Sequence, residues 1–187
     1  FNLNALADPD DPFGARDAFL RLISDLGLSQ SSGRDIIAQT QDITQDLGTL
    51  SAPEALTAIS ALPDAQRTRL AAQIAVLPGN PATNVNTATQ LVLASLVPQI
   101  SDEDWEVFER QRRGAPLDSV ASFEAFLSER LTAEELADIN LRRFDTQSQY
   151  FGVDATVSLG ERQWSRQTWL QRESGGTVRR IYQARVY

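Results

Sequence analysis

Apolar positions recur along this chain with two different periods, and the change of period divides it. The first residues, FNLNAL, alternate in the manner of a strand. Phe1, Leu3 and Ala5 face one way, Asn2 and Asn4 the other. ADPDDPFG follows as a turn. From Ala15 the period is helical: Phe19, Leu20, Ile23 and Leu26 form one stripe, and Gly27 stands where helix ends favour glycine. Ile36, Ile43 and Leu47 continue at heptad-like spacing as far as Gly48. Ser51 and Glu54 have the spacing of a capping box. Leu70, Ile74 and Leu77 share a face ahead of Pro78. Thr87 and Gln90 repeat the box ahead of Leu91, Val92 and Leu93. SDEDWEVFERQRRG opens with acids and closes with arginines, matching the helix dipole at both ends, with Trp105 and Phe108 as its core contacts. Phe123, Phe126 and Leu127 mark another helix, and Thr132 with Glu135 caps one more. From about Arg143 the period returns to two. Val153, Ala155, Val157 and Leu159 alternate, RQWSRQTWLQR reads as a second strand, and Gly175-Gly176 marks a hairpin turn. A third strand places Val178, Arg180, Tyr182, Ala184 and Val186 on one face.

The order is strand, helices, antiparallel meander, which predicts the α+β class. A lone first strand is not stable, so it is expected to join the C-terminal sheet with the helices as an insertion. The expected bounds are 1–7 for the strand, 8–143 for a helix–hairpin–helix-like all-α domain and 144–187 for the C-terminal strands.

A chain of 187 residues, 42% of them hydrophobic, suffices for a sizeable core. It has no Cys and no His. Disulfides, zinc–thiolate sites, thiol nucleophiles and a Ser-His-Asp triad are therefore excluded. A net charge of −8 opposes a nucleic-acid partner, which needs a positive field. Leu91–Val97 is far too short an apolar run to span a bilayer. Met is also absent, so the chain is expected to lack its native start, with any membrane anchor upstream of Phe1.

The stretch FNLNALAD, followed downstream by LPGNPATNVNTATQLVLASL and then by FDTQSQYFGVDATVSLGERQWSRQTWLQR, resembles the K-type minor pseudopilins of type II secretion (general secretion pathway protein K). The resemblance spans the chain. It implies a pilin-like sheet bearing an inserted helical domain, held at the periplasmic face of the bacterial inner membrane by an N-terminal helix outside this sequence. It implies I-type and J-type minor pseudopilins as partners in a pseudopilus-tip complex exporting folded proteins, with secreted proteins as further contacts. It also carries calcium binding by acidic residues of the helical domain, although the acidic Trp- and Asp-bearing segment of that family has no counterpart here.

Several other constellations have plain explanations. Within NVNTA, Asn side chains bond nearby backbone and Thr87 is a good N-cap, so the segment reads as a loop-to-helix junction. The same segment resembles helix–hairpin–helix DNA modules, which grip phosphate through a Gly-x-Gly turn. At that place this chain has VPQISDEDW, without glycine and with three acids. Asp8, Asp10 and Asp11 are weak metal candidates. Counted from Asp8, the sixth and twelfth positions of a calcium loop are Phe13 and Phe19, so no EF-hand is present. A solvated turn explains them better, and a calcium-dependent scaffold is the lesser alternative. No residue stands out as catalytic or cofactor-binding, and an enzyme is not expected. Trp164 and Trp169, five apart on one strand, are expected on opposite faces, with one of them exposed to a neighbour.

Overall fold

The computed structural model describes residues 1–8, 10–11, 14–50, 58–173 and 175–186, without the side chains of 182–186. It forms two compact units, Phe1–Thr146 and Gln147–Tyr187. The class is α+β, as expected.

The first unit is helical. Its helices are α1 (Ala15–Asp25), α2 (Gln30–Leu47), α3 (Asp64–Ala71), α4 (Gln90–Leu96), α5 (Asp102–Gly114), α6 (Val120–Ser128) and α7 (Ala133–Ala137). Side-chain caps follow the sequence signals. Ser29, Ser101, Ser119 and Thr132 each accept a bond from an amide of the first turn, and Thr132 with Glu135 completes a reciprocal box. The Ser51–Glu54 box lies outside the described residues.

On α1, Phe19, Ile23 and Leu26 of the predicted stripe are buried, whereas Leu20 is only partly buried and Leu22, outside that stripe, is fully enclosed. On α2 the apolar face differs from the heptad reading. Gly33, Ile36, Ile37 and Thr40 are buried, whereas Leu47 is 60% exposed. Gly33 has a steric reason: a Cβ there would lie 2.8 Å from Leu20 Cδ2, so its absence lets α1 and α2 approach closely. Within the same core, an aromatic group joins α5, α6 and the strand residue Phe144. Ring centroids are 5.6 Å apart for Trp105–Phe108, 4.8 Å for Phe108–Phe126 and 5.1 Å for Phe123–Phe144. Each such aromatic pair adds about 0.5–1.5 kcal/mol beyond area burial.

The opening segment requires a correction. Residues Leu3–Ala7 form a 3₁₀ helix rather than a strand, inside the helical unit. Leu3 and Leu6 are both fully buried, three apart, which is the 3₁₀ period. Extended pairing is limited to one parallel bridge, Asn2 with Ala75. Two backbone bonds make it: Ala75 N–H donates to Phe1 O (2.7 Å) and Leu3 N–H donates to Ala75 O (2.9 Å). The alternation of Phe1, Leu3 and Ala5 was compatible with either element. The asparagines decided it, because Asn2 Oδ1 accepts the Asn4 amide and turns the chain. In the described residues the helical unit precedes the sheet and does not interrupt it.

The second unit is an antiparallel meander of β3 (Tyr150–Leu159), β4 (Arg162–Arg172) and β5 (Val178–Val186), in the order β3-β4-β5. The predicted strands and hairpin positions are all present. The alternation of β5 is interrupted, however. Tyr182 pairs with Trp169 and Arg180 with Leu170, so Ile181 is an extra residue and the faces read from strict alternation do not hold across it. The remaining strands, β1 (Thr83–Asn84) and β2 (Phe144–Asp145), pair in parallel within the helical unit.

Candidate assembly surface

The Asn-rich segments are brackets in the helical unit. Asn86 Oδ1 accepts the Leu117 amide (2.8 Å), while its Nδ2 donates to Leu117 O (2.9 Å) and Thr146 O (3.2 Å). The side-chain amide thus pairs with both the N–H and the C=O of one residue, as a strand neighbour would. Asn2 does the same to Leu77, accepting its N–H at 3.0 Å and donating to its O at 3.3 Å. Asn4 does it to Leu50, at 2.8 Å and 3.2 Å. Asn84 accepts the Asn86 amide (2.8 Å) and closes the turn. The helix that follows starts two residues later than the Thr87–Gln90 box predicted. Thr89 is its N-cap and bonds the Val92 amide, while Thr87 lies in the turn, donating its own amide to Asn84 O.

Arg112 completes this junction, and helix-end electrostatics had not singled it out. Its side chain is only 8% exposed. It donates to Val85 O (2.6 Å) and Ala88 O (2.7 Å), meets Glu109, and lies over the Phe108 ring. The signal available in the sequence was position: Arg112 follows Trp105 by seven and Phe108 by four, on the buried side of α5. Arg113, one residue on, is exposed.

Two of the three weak metal candidates, Asp8 and Asp11, bind backbone amides with their side chains. Asp11 accepts the Ala15 and Arg16 amides, at 2.6 Å and 3.1 Å, and so occupies the N-terminus of α1. Asp8 accepts the Asp10 amide with its side chain and an Arg16 guanidinium bond with its carbonyl. Burial pushes the Arg143 pKa down, Asp11 works against that, and Arg21 adds to it. Among the described residues no group of three or more acids is placed to hold a metal ion. The side chains of Asp8 and Asp11 are engaged with backbone amides instead.

The connection from α4 to α5 contains no glycine, and Asp102, Glu103 and Asp104 line the first turn of α5. Phosphate would meet like charge there. The DNA reading has no support in this geometry.

The second unit presents a surface of another kind. Residues paired across an antiparallel ladder point to the same face. Phe151, Val153, Val157 and Leu159 of β3 pair with Leu170, Thr168, Trp164 and Arg162 of β4, and Val178 of β5 pairs with Arg172. One face therefore holds Phe151, Val153, Val157, Leu159, Trp164 and Val178, all of them exposed, from 41% at Phe151 to 72% at Leu159. The opposite face of β3 and β4 carries Asp154, Thr156, Ser158, Gln163, Ser165 and Gln167 with Trp169, so the two tryptophans do face opposite ways. Gly152, paired with Trp169, leaves room for the indole, which a Cβ there would touch at 3.5 Å.

Charge follows the same division. Residues 1–146 carry 11 Arg against 22 Asp and Glu, net −11, and residues 147–187 carry 6 Arg against 3 acids, net +3.

Residues 83–154 match the family model described as type II secretion system (T2SS), protein K. This stretch, under half of the chain, is similar to the protein K family. It runs from β1 through the Asn86 bracket and the aromatic cluster into β3, and so contains the NVNTA segment on which the resemblance rested. No curated protein matches the chain. A chain of the crystallised GspK-GspI-GspJ complex from the enterotoxigenic Escherichia coli type 2 secretion system is similar over 100% of this chain and 76% of its own. The TM-score is 0.74 at 17% identity, a likeness of fold. Among the described residues, no helix is long and apolar enough to cross a membrane.

Proposed function

We propose that this chain is the head of a K-type minor pseudopilin, a non-enzymatic structural subunit of the type II secretion pseudopilus. The observation that carries the reading is the protein K match over residues 83–154. The fold likeness to a chain of the GspK-GspI-GspJ complex supports it over the full length. On this reading the subunit joins I-type and J-type minor pseudopilins at the pseudopilus tip, in the periplasm, anchored in the inner membrane by an N-terminal helix.

The physical mechanism is steric. Pilin-like subunits stack through their N-terminal helices. A helical unit of the size of Phe1–Thr146 obstructs the site where another subunit would stack above it. Such a head ends a filament and, by being placed first, starts one. The exposed apolar face of β3–β5 supplies the contact with helices of the assembly.

The test is co-purification of the full-length subunit with its I-type and J-type partners. A stable ternary complex is expected. Failure of all three chains to associate, with membrane helices intact, sinks the reading. The chain uses no cofactor in this role, and its melting temperature is expected to be equal in calcium and in chelator. A calcium-dependent rise in melting temperature would restore the scaffold alternative.

A further inference from the structure

The helical unit carries twice as many acids as arginines, yet one of its cavities is lined by two arginines and by no described acid. The cavity has a volume of about 60 Å³. It lies where the 3₁₀ turn Leu141–Arg143 meets the loop ahead of β1 and the start of α1. Arg142, Arg143, Asn80 and Thr83 bring polar side chains to its lining, and Ala15 and Leu96 bring apolar ones. Phe1 lines it too but adds no charge at neutral pH, because burial lowers the pKa of its α-amino group to about 5.

The balance of charge here favours an anion. Arg142 is exposed and takes part in no ion pair with a described residue. Arg143 is half-buried, and burial disfavours its charge. Of its two charged neighbours, Asp11 favours the guanidinium and Arg21 opposes it. Asp11 already accepts the Ala15 and Arg16 amides. A half-buried cation with a cationic neighbour is stabilised by a further anion, and a guanidinium can hold a carboxylate or phosphate through two parallel bonds. The net charge of the unit repels anions from a distance, but salt screens charges more than about 8 Å away, so the arginines decide at contact. Size agrees. One water needs roughly 10–15 Å³, so the cavity has room for a single carboxylate or phosphate group and for nothing much larger.

We propose that this cavity is an oxyanion site, in which Arg142 and Arg143 hold one carboxylate or phosphate group with Asn80 and Thr83 as further donors. The site goes beyond the assembly reading and takes nothing from it. Two sources share the chemistry: a free anion, and a carboxylate side chain of a bound protein.

The test is the thermal melting of the detergent-solubilised full-length subunit at neutral pH. Inorganic phosphate, and separately acetate, is raised while sodium chloride holds the ionic strength constant. A saturable rise in melting temperature is expected, since a ligand that binds only the folded state stabilises it. Arg142→Gln is expected to raise the half-saturating concentration roughly tenfold or more, as the loss of a charged hydrogen bond does. Without added anion this variant is expected to melt with the parent, because the side chain has no ion pair to lose, which separates lost binding from misfolding. Arg69→Gln removes another exposed arginine, on α3, and is expected to leave the response unchanged. No rise with either anion, a rise that never saturates, an unchanged response in Arg142→Gln, or an equal loss in Arg69→Gln each overturns the proposal. Repeating the titration with I-type and J-type subunits bound separates the two sources. Loss of the phosphate response there assigns a partner's carboxylate, and its retention assigns a free anion.

Discussion

Among the described residues, every fully enclosed large side chain lies in residues 1–146, while the large apolar side chains left in solvent lie, Leu47 apart, in 147–187. The helical unit closes its apolar surface internally. Short helices cannot persist on propensity alone, so their stripes meet each other, and half-buried asparagine brackets hold the connections between them. The sheet has paired ladders as well, yet among the described residues the large side chains of its apolar face are exposed. Regular secondary structure and a closed core are thus separate achievements. The net charges of −11 and +3 accompany the same split, the closed unit repelling anionic partners and the open one favouring them.

The contrast is broken most strongly by Phe108→Ala. Phe108 contacts Trp105, Phe123 and Phe126 with no exposure, so its removal is expected to destabilise the helical unit by about 3–5 kcal/mol in urea unfolding. A loss no greater than that of a surface substitution would mean the cluster is not a core. Next comes the NVNTA junction. Arg112→Ala strips bonds from the Val85 and Ala88 carbonyls and leaves Glu109 with only the exposed Arg113, 3.8 Å away, at an expected cost of about 2–3 kcal/mol. Asn86→Ala removes a two-ended pairing with Leu117 and is expected to cost about 1–3 kcal/mol, which chemical denaturation would read. If either change proved neutral, the segment would be an ordinary cap.

These residues also mark how far the sequence could be read. The change of period, the cap at Thr132 and the meander were legible because each depends on local spacing. The opening segment was not. Its three alternating apolar residues fit a strand and a 3₁₀ turn alike, and what separates them is a partner at Ala75, far along the chain. Asn2, Asn4 and Asn86 were legible as backbone-binding residues, but their partners Leu77, Leu50 and Leu117 are 31 or more positions away. The bulge at Ile181 left no mark in an otherwise regular alternation. The amphipathic face of β3 could be read from period alone. That it stays open needed the structure.

A smaller effect sharpens the comparison from the other side. In the chain Phe1–Tyr187, Leu159→Ser removes a side chain already 72% exposed and is expected to change unfolding stability by no more than about 0.5 kcal/mol. The same change in the full-length subunit is expected to weaken ternary assembly measured by co-purification. Equal stability loss in both would show that Leu159 is buried within this chain.

The smallest expected effect concerns one carboxylate. Glu135 accepts the Thr132 amide and hydroxyl, both at 2.9 Å, and these bonds hold its pKa below the usual glutamate value. The folded state therefore binds its proton less readily than the unfolded chain does. Stability from this box is fully present above the unfolded value and is lost as pH falls through the lowered folded one. The carboxylate is solvent-exposed, so the change is confined to α7, a five-residue helix with no buried residue. Amide exchange at Thr132 and along α7 is expected to gain opening as pH drops through the acidic range, after correction for intrinsic exchange. The aromatic cluster of α5 and α6 stays protected over the same range. In Glu135→Gln the box keeps an acceptor without a titrating proton, so this pH response is expected to vanish. Its persistence in that variant would assign the opening to another acid, with Asp118, held low by its bonds to Ser122 and Ser119, as the next to substitute.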